Sequence, residues 1–254
     1  MRQVAYISLF PFKRCVATSI TFFVLGVNPA FGLDEIYSPN VSYRELSFEY
    51  NGSRTFDSRP DRNNDQGHQL IVEAGISPRW MVESSAGFDK SPGTETKLNN
   101  IEVESRYQFV EAGEYWLDAG LLVAYGFSTQ SQRPDSLEIK LLLQKDINRI
   151  TSTVNIGFSE EVGGYSSPGG ADYVLLWNTR YRYSEYVQPG IEIQGDLGQG
   201  HSHKRLNEQH DYFGPTVYGR LYGRLKYQAG YFFGVSHAAT HNAARVIIEY
   251  ETHF

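Results

Sequence analysis

The chain has 254 residues, 20% of them charged and 14% aromatic, with 23 Lys and Arg against 29 Asp and Glu and a single cysteine. The acidic balance argues against nucleic acid and anionic membrane surfaces as partners, and one cysteine leaves neither a disulfide nor a thiolate metal site. Mean hydropathy is −0.41. No stretch beyond the N-terminal region approaches the roughly 18 consecutive apolar residues of a membrane helix, so a helical membrane protein is excluded. A strand-built one is not, because every second residue of a barrel strand faces a lumen rather than lipid.

At the N-terminus, Arg2, Lys13 and Arg14 precede an apolar run from Val16 to Val27, and Ala30-Phe31-Gly32 supplies small residues at the spacing of a cleavage site. Residues 1–32 therefore read as a secretory signal peptide, set apart from the fold. Thr18, Ser19 and Pro29 interrupt the run, which makes it too short to be a comfortable membrane anchor. Cys15 lies within this leader and lacks a lipoprotein-type context. Without the three leader cations, 20 Lys and Arg (23 less 3) stand against 29 Asp and Glu, an excess of nine acids over residues 33–254. Those residues form one expected domain, with no repeat or low-complexity linker.

From Glu45 onward the period is two. Leu46, Phe48 and Tyr50 share one face, and Glu45, Ser47 and Glu49 the other, the mark of a strand with one apolar side. The same pattern recurs with Leu70, Val72, Ala74 and Ile76, then Trp80, Val82, Ala86 and Phe88, then Ile101, Val103, Tyr107 and Phe109. Leu117 to Phe127, Leu137 to Leu143, Val154 to Phe158, Tyr173 to Tyr183 and Ile191 to Leu197 continue it. A tenth strand over Tyr212 to Leu221 contains Gly214-Pro215, where a bulge is expected. Leu225 to Phe233 makes the eleventh and Val246 to Phe254 the last. About twelve strands result, with 10–14 allowed by the uncertainty of boundaries.

Connections alternate in length. Short ones fall near 77–79, 110–115, 145–149, 184–189 and 221–224, and longer polar ones near 57–67, 89–97, 128–136, 162–171, 198–211 and 236–243. Trp80, Tyr115, Trp116, Tyr183 and Tyr186 cluster by the short turns, while Phe56, Phe88, Phe127, Phe158 and Phe233 sit towards the long loops. Two aromatic belts suit two membrane interfaces. The expected fold is all-β, a transmembrane antiparallel up-and-down barrel. A soluble sandwich or lipocalin-like barrel is the alternative, since alternation alone does not say which face is outside.

The last residues read VIIEYETHF, an alternating strand ending in Phe254. This strand resembles the end of Gram-negative outer-membrane β-barrel proteins, with Tyr250 and Phe254 as the terminal signal. With YQAGYFFGVS at 227–236, it is similar to a porin-like group of roughly twelve strands. The resemblance implies a bacterial outer-membrane location with both termini periplasmic, outer-membrane lipid and the barrel-insertion machinery as partners, and passive transport of small solutes.

If the apolar face meets lipid, the other face lines the lumen. Glu49, Glu102, Glu104, Arg106, Lys140, Arg180, Arg182, Glu192, Lys226, Arg245 and Glu249 are the candidates. They could fill a closed barrel with salt bridges or line a hydrated channel that selects solutes by charge.

His68, His201, His203, His210, His237 and His241 all fall in or beside outer loops, leaving His253 at the periplasmic end. The spacings of His201 with His203, and of His237 with His241, could bind Zn²⁺ or Cu²⁺, or these could be ordinary polar loop residues. No cofactor is implied. Outer-membrane phospholipases resemble the chain in size but need Ser and His two residues apart on a strand's outer face, a pattern absent here; His210-Asp211 and Asp196 could at most suggest a rim protease. The order of readings is a porin-like channel, then a closed structural, ligand-binding or adhesive barrel acting through its outer loops, then a hydrolase.

Overall fold

The computed structural model describes residues 33–166, 170–199 and 209–254, so the expected signal peptide lies outside them. Alternating residues build twelve antiparallel strands: β1 (Glu45–Phe56), β2 (Gln66–Ser77), β3 (Trp80–Lys90), β4 (Lys97–Gln108), β5 (Asp118–Ser128), β6 (Asp135–Ile147), β7 (Ile150–Val162), β8 (Asp172–Tyr181), β9 (Gln188–Gln199), β10 (Tyr212–Leu221), β11 (Leu225–Gly234) and β12 (Asn242–His253). Each pairs with its sequence neighbours, and β1 pairs with β12 from Glu45↔His253 to Phe56↔Asn242, which closes the barrel. Closure removes the unpaired edges that a membrane-embedded sheet cannot tolerate.

The faces are decided by exposure. Leu70 is 54% exposed and its neighbour Ile71 only 4%; Val246 is 43% exposed and Ile247 4%. Phe48, Val72, Ile101, Val103, Ile156, Leu175, Ile191 and Tyr231 all point outward, while Glu45, Ser47, Glu83, Glu104, Lys140 and Glu192 are buried within. A soluble sandwich or lipocalin-like barrel would hide the apolar set. Here it forms the outer surface, and the barrel is a transmembrane one. At the short-turn end Trp80, Tyr115, Trp116, Tyr183, Tyr186 and Tyr222 are exposed, and Phe56, Phe127 and Phe233 form the opposite aromatic band.

The turns explain the short end. Two residues join β6 to β7, and Asn148 takes a φ of 52° there, a left-handed conformation that asparagine tolerates. Tyr222 and Gly223 do the same between β10 and β11.

One expectation is corrected. Gly214-Pro215 makes no bulge: the β9–β10 register runs unbroken from Tyr212↔Gln194 to Tyr218↔Gln188 through both residues, and towards β11 the pairing only lapses at these two, between Phe213↔Phe233 and Thr216↔Gly230, without a shift. A Cβ on Gly214 would collide with the Tyr231 carbonyl oxygen, so glycine permits a close approach of β11 where pairing lapses, and Pro215 forgoes an N–H without a shift. Register shifts occur instead at Gly75/Ser77, Gly87/Phe88 and Tyr173/Val174.

Candidate functional site

The alternation begins at Glu45, and residues 33–44 carry no such signal, yet they occupy the centre of the molecule. Arg44 adopts a φ of 65° and doubles the chain back at the short-turn end, where its N–H donates to the Gly75 carbonyl and its carbonyl accepts from Phe254 N–H. From there residues 33–42 run inside the barrel to the long-loop end. Leu33 packs there among Tyr212, Phe232, Ala239 and Ala243.

The barrel wall holds this segment by its backbone. Asn155, fully buried on β7, accepts from Tyr37 N–H at 2.7 Å and donates to the Tyr37 carbonyl at 2.9 Å. Gln194 on β9 repeats the arrangement with Asp34, at 3.0 and 2.8 Å. Each carboxamide thus imitates one rung of a β-ladder. Gln108 accepts from Val41 N–H at 2.8 Å, Arg106 donates to the Ser38 carbonyl, and Arg245 donates to the Asp34 carbonyl. These contacts satisfy backbone groups that would otherwise be costly to bury.

Side chains lock the same segment. The Tyr37 ring packs on Leu122, Ala124 and Leu142, inward-facing apolar residues of β5 and β6. The Arg106 guanidinium and Lys140 ammonium lie 4.9 and 5.5 Å from its centroid, within cation–π range. Pro39 is fully buried, and a Cβ on Gly120 would approach it to 3.1 Å; glycine keeps that stretch of β5 open for the segment.

Around this strap the interior is ionic. Arg106 meets Glu73 at 2.6 Å and Glu83 at 3.9 Å; Lys140 meets Glu138 at 2.9 Å. Arg245 and Glu192 pair with no exposed side-chain surface on either partner. Near the short turns Lys226 bridges Glu249 and Glu251, and Arg220 also reaches Glu251. Buried charges of this kind persist only when paired. Arg180 faces the Tyr218 ring at 5.3 Å, and its Nε has no hydrogen-bond partner. Arg182 lies at the rim, on Asp146.

Three cavities follow the barrel axis. One of about 500 Å³ opens among the long loops, bounded by Asp61, Asp89, Arg133 and Tyr212. A second of about 250 Å³ lies between Glu102, Lys140 and the strap residues Leu33, Asp34, Glu35 and Tyr37. A third of about 470 Å³, at the short-turn end, is bounded by Glu49, Glu83, Arg180, Lys226 and Glu249. Glu35 and Tyr37 belong to the walls of both the second and the third.

Among the candidates read from the sequence, Glu49, Glu102, Glu104, Arg106, Lys140, Arg180, Arg182, Lys226 and Glu249 line these inner cavities. Glu192 and Arg245 are buried against each other. Tyr250 points outward and Phe254 is exposed beside Arg44. Among the described residues, the one group of three metal-ligating side chains is Glu45, Glu73 and Glu249, two of which already pair with Arg106 and Lys226. His237 and His241 join no such group, and His201 and His203 lie outside the described residues. Sequence reading missed Asn155, Gln194 and the strap altogether. Their only signal is an inward, strand-central position for each amide.

The closed twelve-strand barrel decides the likeness. In fold the chain is porin-like. The NanC porin superposes with a TM-score of 0.59 at 11% identity, covering 80% of this chain and 98% of that one. The KdgM porin gives 0.59 at 10% identity, covering 82% and 99%. The KdgM porin in complex with disordered oligogalacturonate gives 0.58 at 10% identity, also covering 82% and 99%. At such identity the likeness is one of fold. No protein-family model matches the porin-like chain, and no match was found among curated protein sequences.

Proposed function

We propose that this protein is an outer-membrane channel for the passive passage of small polar solutes, favouring cations and neutral molecules over anions. The observation that carries the reading is the inward surface: polar cavities along the barrel axis whose walls hold more acids than bases. Asp34, Glu35, Glu45, Glu49, Glu73, Glu83, Asp89, Glu102, Glu104, Glu138 and Glu249 stand against Arg106, Lys140, Arg180, Arg182, Arg220 and Lys226. Rings of like charge select by sign. A lumen with this acid surplus is a poor host for a polyanion such as the oligogalacturonate bound to KdgM, so the solute class proposed here differs. Residues 1–32 serve in this reading as the removed secretory leader, both termini are periplasmic, and Tyr250 and Phe254 present the terminal strand to the insertion machinery.

The test is reversal potential in a planar bilayer under a salt gradient. We expect discrete openings, rare in the intact barrel and frequent in one lacking residues 33–42, with a cation preference increased by Arg180→Glu and reduced by Glu102→Gln. Anion preference would overturn the charge assignment. Silence from both the intact barrel and one lacking residues 33–42 would overturn the channel itself. The strap is also the observation that favours a closed barrel, the second reading, which predicts that silence.

A further inference from the structure

We infer that residues 33–42 are a resident plug: an intramolecular ligand of the lumen that sets how often the channel conducts, and that can leave its site without unfolding the barrel. The inference rests on the channel reading above and adds a regulator to it.

Three independent features support it. The first is placement. Glu35 and Tyr37 wall off the 250 Å³ cavity from the 470 Å³ cavity, so a solute crossing the barrel meets this segment. The second is the manner of binding. Asn155 and Gln194 each grip both backbone groups of one strap residue, Tyr37 and Asp34. Those residues are 118 and 160 positions away in sequence, so the site is assembled only by the finished barrel. Inward apolar side chains seat Leu33 at one end of the segment and Tyr37 at its middle. This is a recognition site for an extended chain, with anchors and ladder-like hydrogen bonds.

The third is connectivity. The segment contributes no strand to the barrel, whose twelve strands close without it. Its tether is the reversal at Tyr43 and Arg44, where Arg44 takes φ 65°. Displacing it breaks hydrogen bonds to side chains but no rung of the β-ladder, and water entering the lumen can replace those bonds. A few such bonds and two apolar anchors define a two-state element whose equilibrium a solute, voltage or binding partner can bias. Gln108, Arg106 and Arg245 would release their carbonyl and amide partners on opening.

The experiment compares conductance of the refolded protein beginning at Leu33 with that of a chain lacking 33–42, each checked for a folded barrel by heat-modifiable gel mobility. We expect the intact chain to be silent or to flicker at low open probability. The deletion should conduct with a several-fold larger open conductance, and added peptide LDEIYSPNVS should block it. A double variant, Asn155→Ala with Gln194→Ala, keeps the segment and should show an intermediate increase in open probability. It serves where the deletion assembles poorly. Equal, non-zero conductance in intact, deleted and doubly substituted proteins overturns the plug and leaves the channel standing. Silence from all three folded barrels overturns both.

Discussion

Arg245 on β12 and Glu192 on β9 form an ion pair in which Arg245 Nη2 donates to both carboxylate oxygens at 2.8 Å, across two intervening strands and with neither side chain exposed. Gln194, Gln228 and Tyr218 also donate to Glu192, and the Phe232 ring lies 5.4 Å beneath the guanidinium. The same guanidinium reaches the Asp34 carbonyl, so the pair fixes one end of the strap to the wall.

Breaking this pair from one side should be severe. Glu192→Gln or Arg245→Met leaves an uncompensated buried charge or unpaired donors, at a cost of about 3–5 kcal/mol. Equilibrium urea unfolding in lipid vesicles should register it, and the double replacement should cost less than the sum of the two single ones. Strict additivity would show that the two residues do not interact.

Ile156 sits mid-strand on β7 with 45% exposure, next to Asn155, which is fully buried. If the outer face meets lipid, Ile156→Arg should destabilise the barrel by about 2–4 kcal/mol, the cost of a cation near the bilayer midplane. The same substitution in a surface loop, at Thr94, should have almost no effect. An equally mild result at Ile156 would contradict the lipid-facing assignment.

In the long loops Arg59 holds Asp57 in a two-pronged pair and also donates to the His237 and Ala239 carbonyls, while Asp57 accepts from His241 N–H. This clamps the first loop to the last. The Arg59 guanidinium beside it holds the Asp57 carboxyl well below its usual range. A depressed folded value contributes stability above the unfolded value, near 3.9, and that contribution is lost as pH falls toward the folded one. Wild type should therefore melt above Asp57→Asn at neutral pH, with the gap narrowing below about pH 4. A gap independent of pH would remove the carboxylate from the explanation.

Phe254 is exposed and its backbone is tied to Arg44, its N–H donating to the Arg44 carbonyl and its carbonyl accepting from Arg44 Nε at 2.5 Å. Its deletion should change the stability of refolded protein by no more than about 0.5 kcal/mol. Assembly into the outer membrane of cells should nevertheless fall sharply, if the terminal residue is a signal rather than a structural support. Loss of both in parallel would make it structural.

The strands were legible because alternation is local: Ser47 beside Phe48, or Val103 beside Glu104, differ in polarity as they differ in exposure, by the pleat alone. Gly214-Pro215 misled in part: the ladder to β11 does lapse there, but continuous pairing with β9 keeps the register, so the interruption makes no bulge. Arg106, Lys140 and Arg245 could be placed on an inward face, but not matched with Glu73, Glu138 and Glu192, since partners are set by barrel register rather than spacing.

By itself, then, the sequence determined the alternation, the turns, and with them the twelve strands and the polar face, all consequences of a two-residue period read along one strand at a time. Only the tertiary structure decided which face was outside and what fills the lumen. Residues 33–42 have no period of their own. Their conformation is dictated by Asn155, Gln194 and Arg245, side chains on three separate strands that become one site only when β1 meets β12.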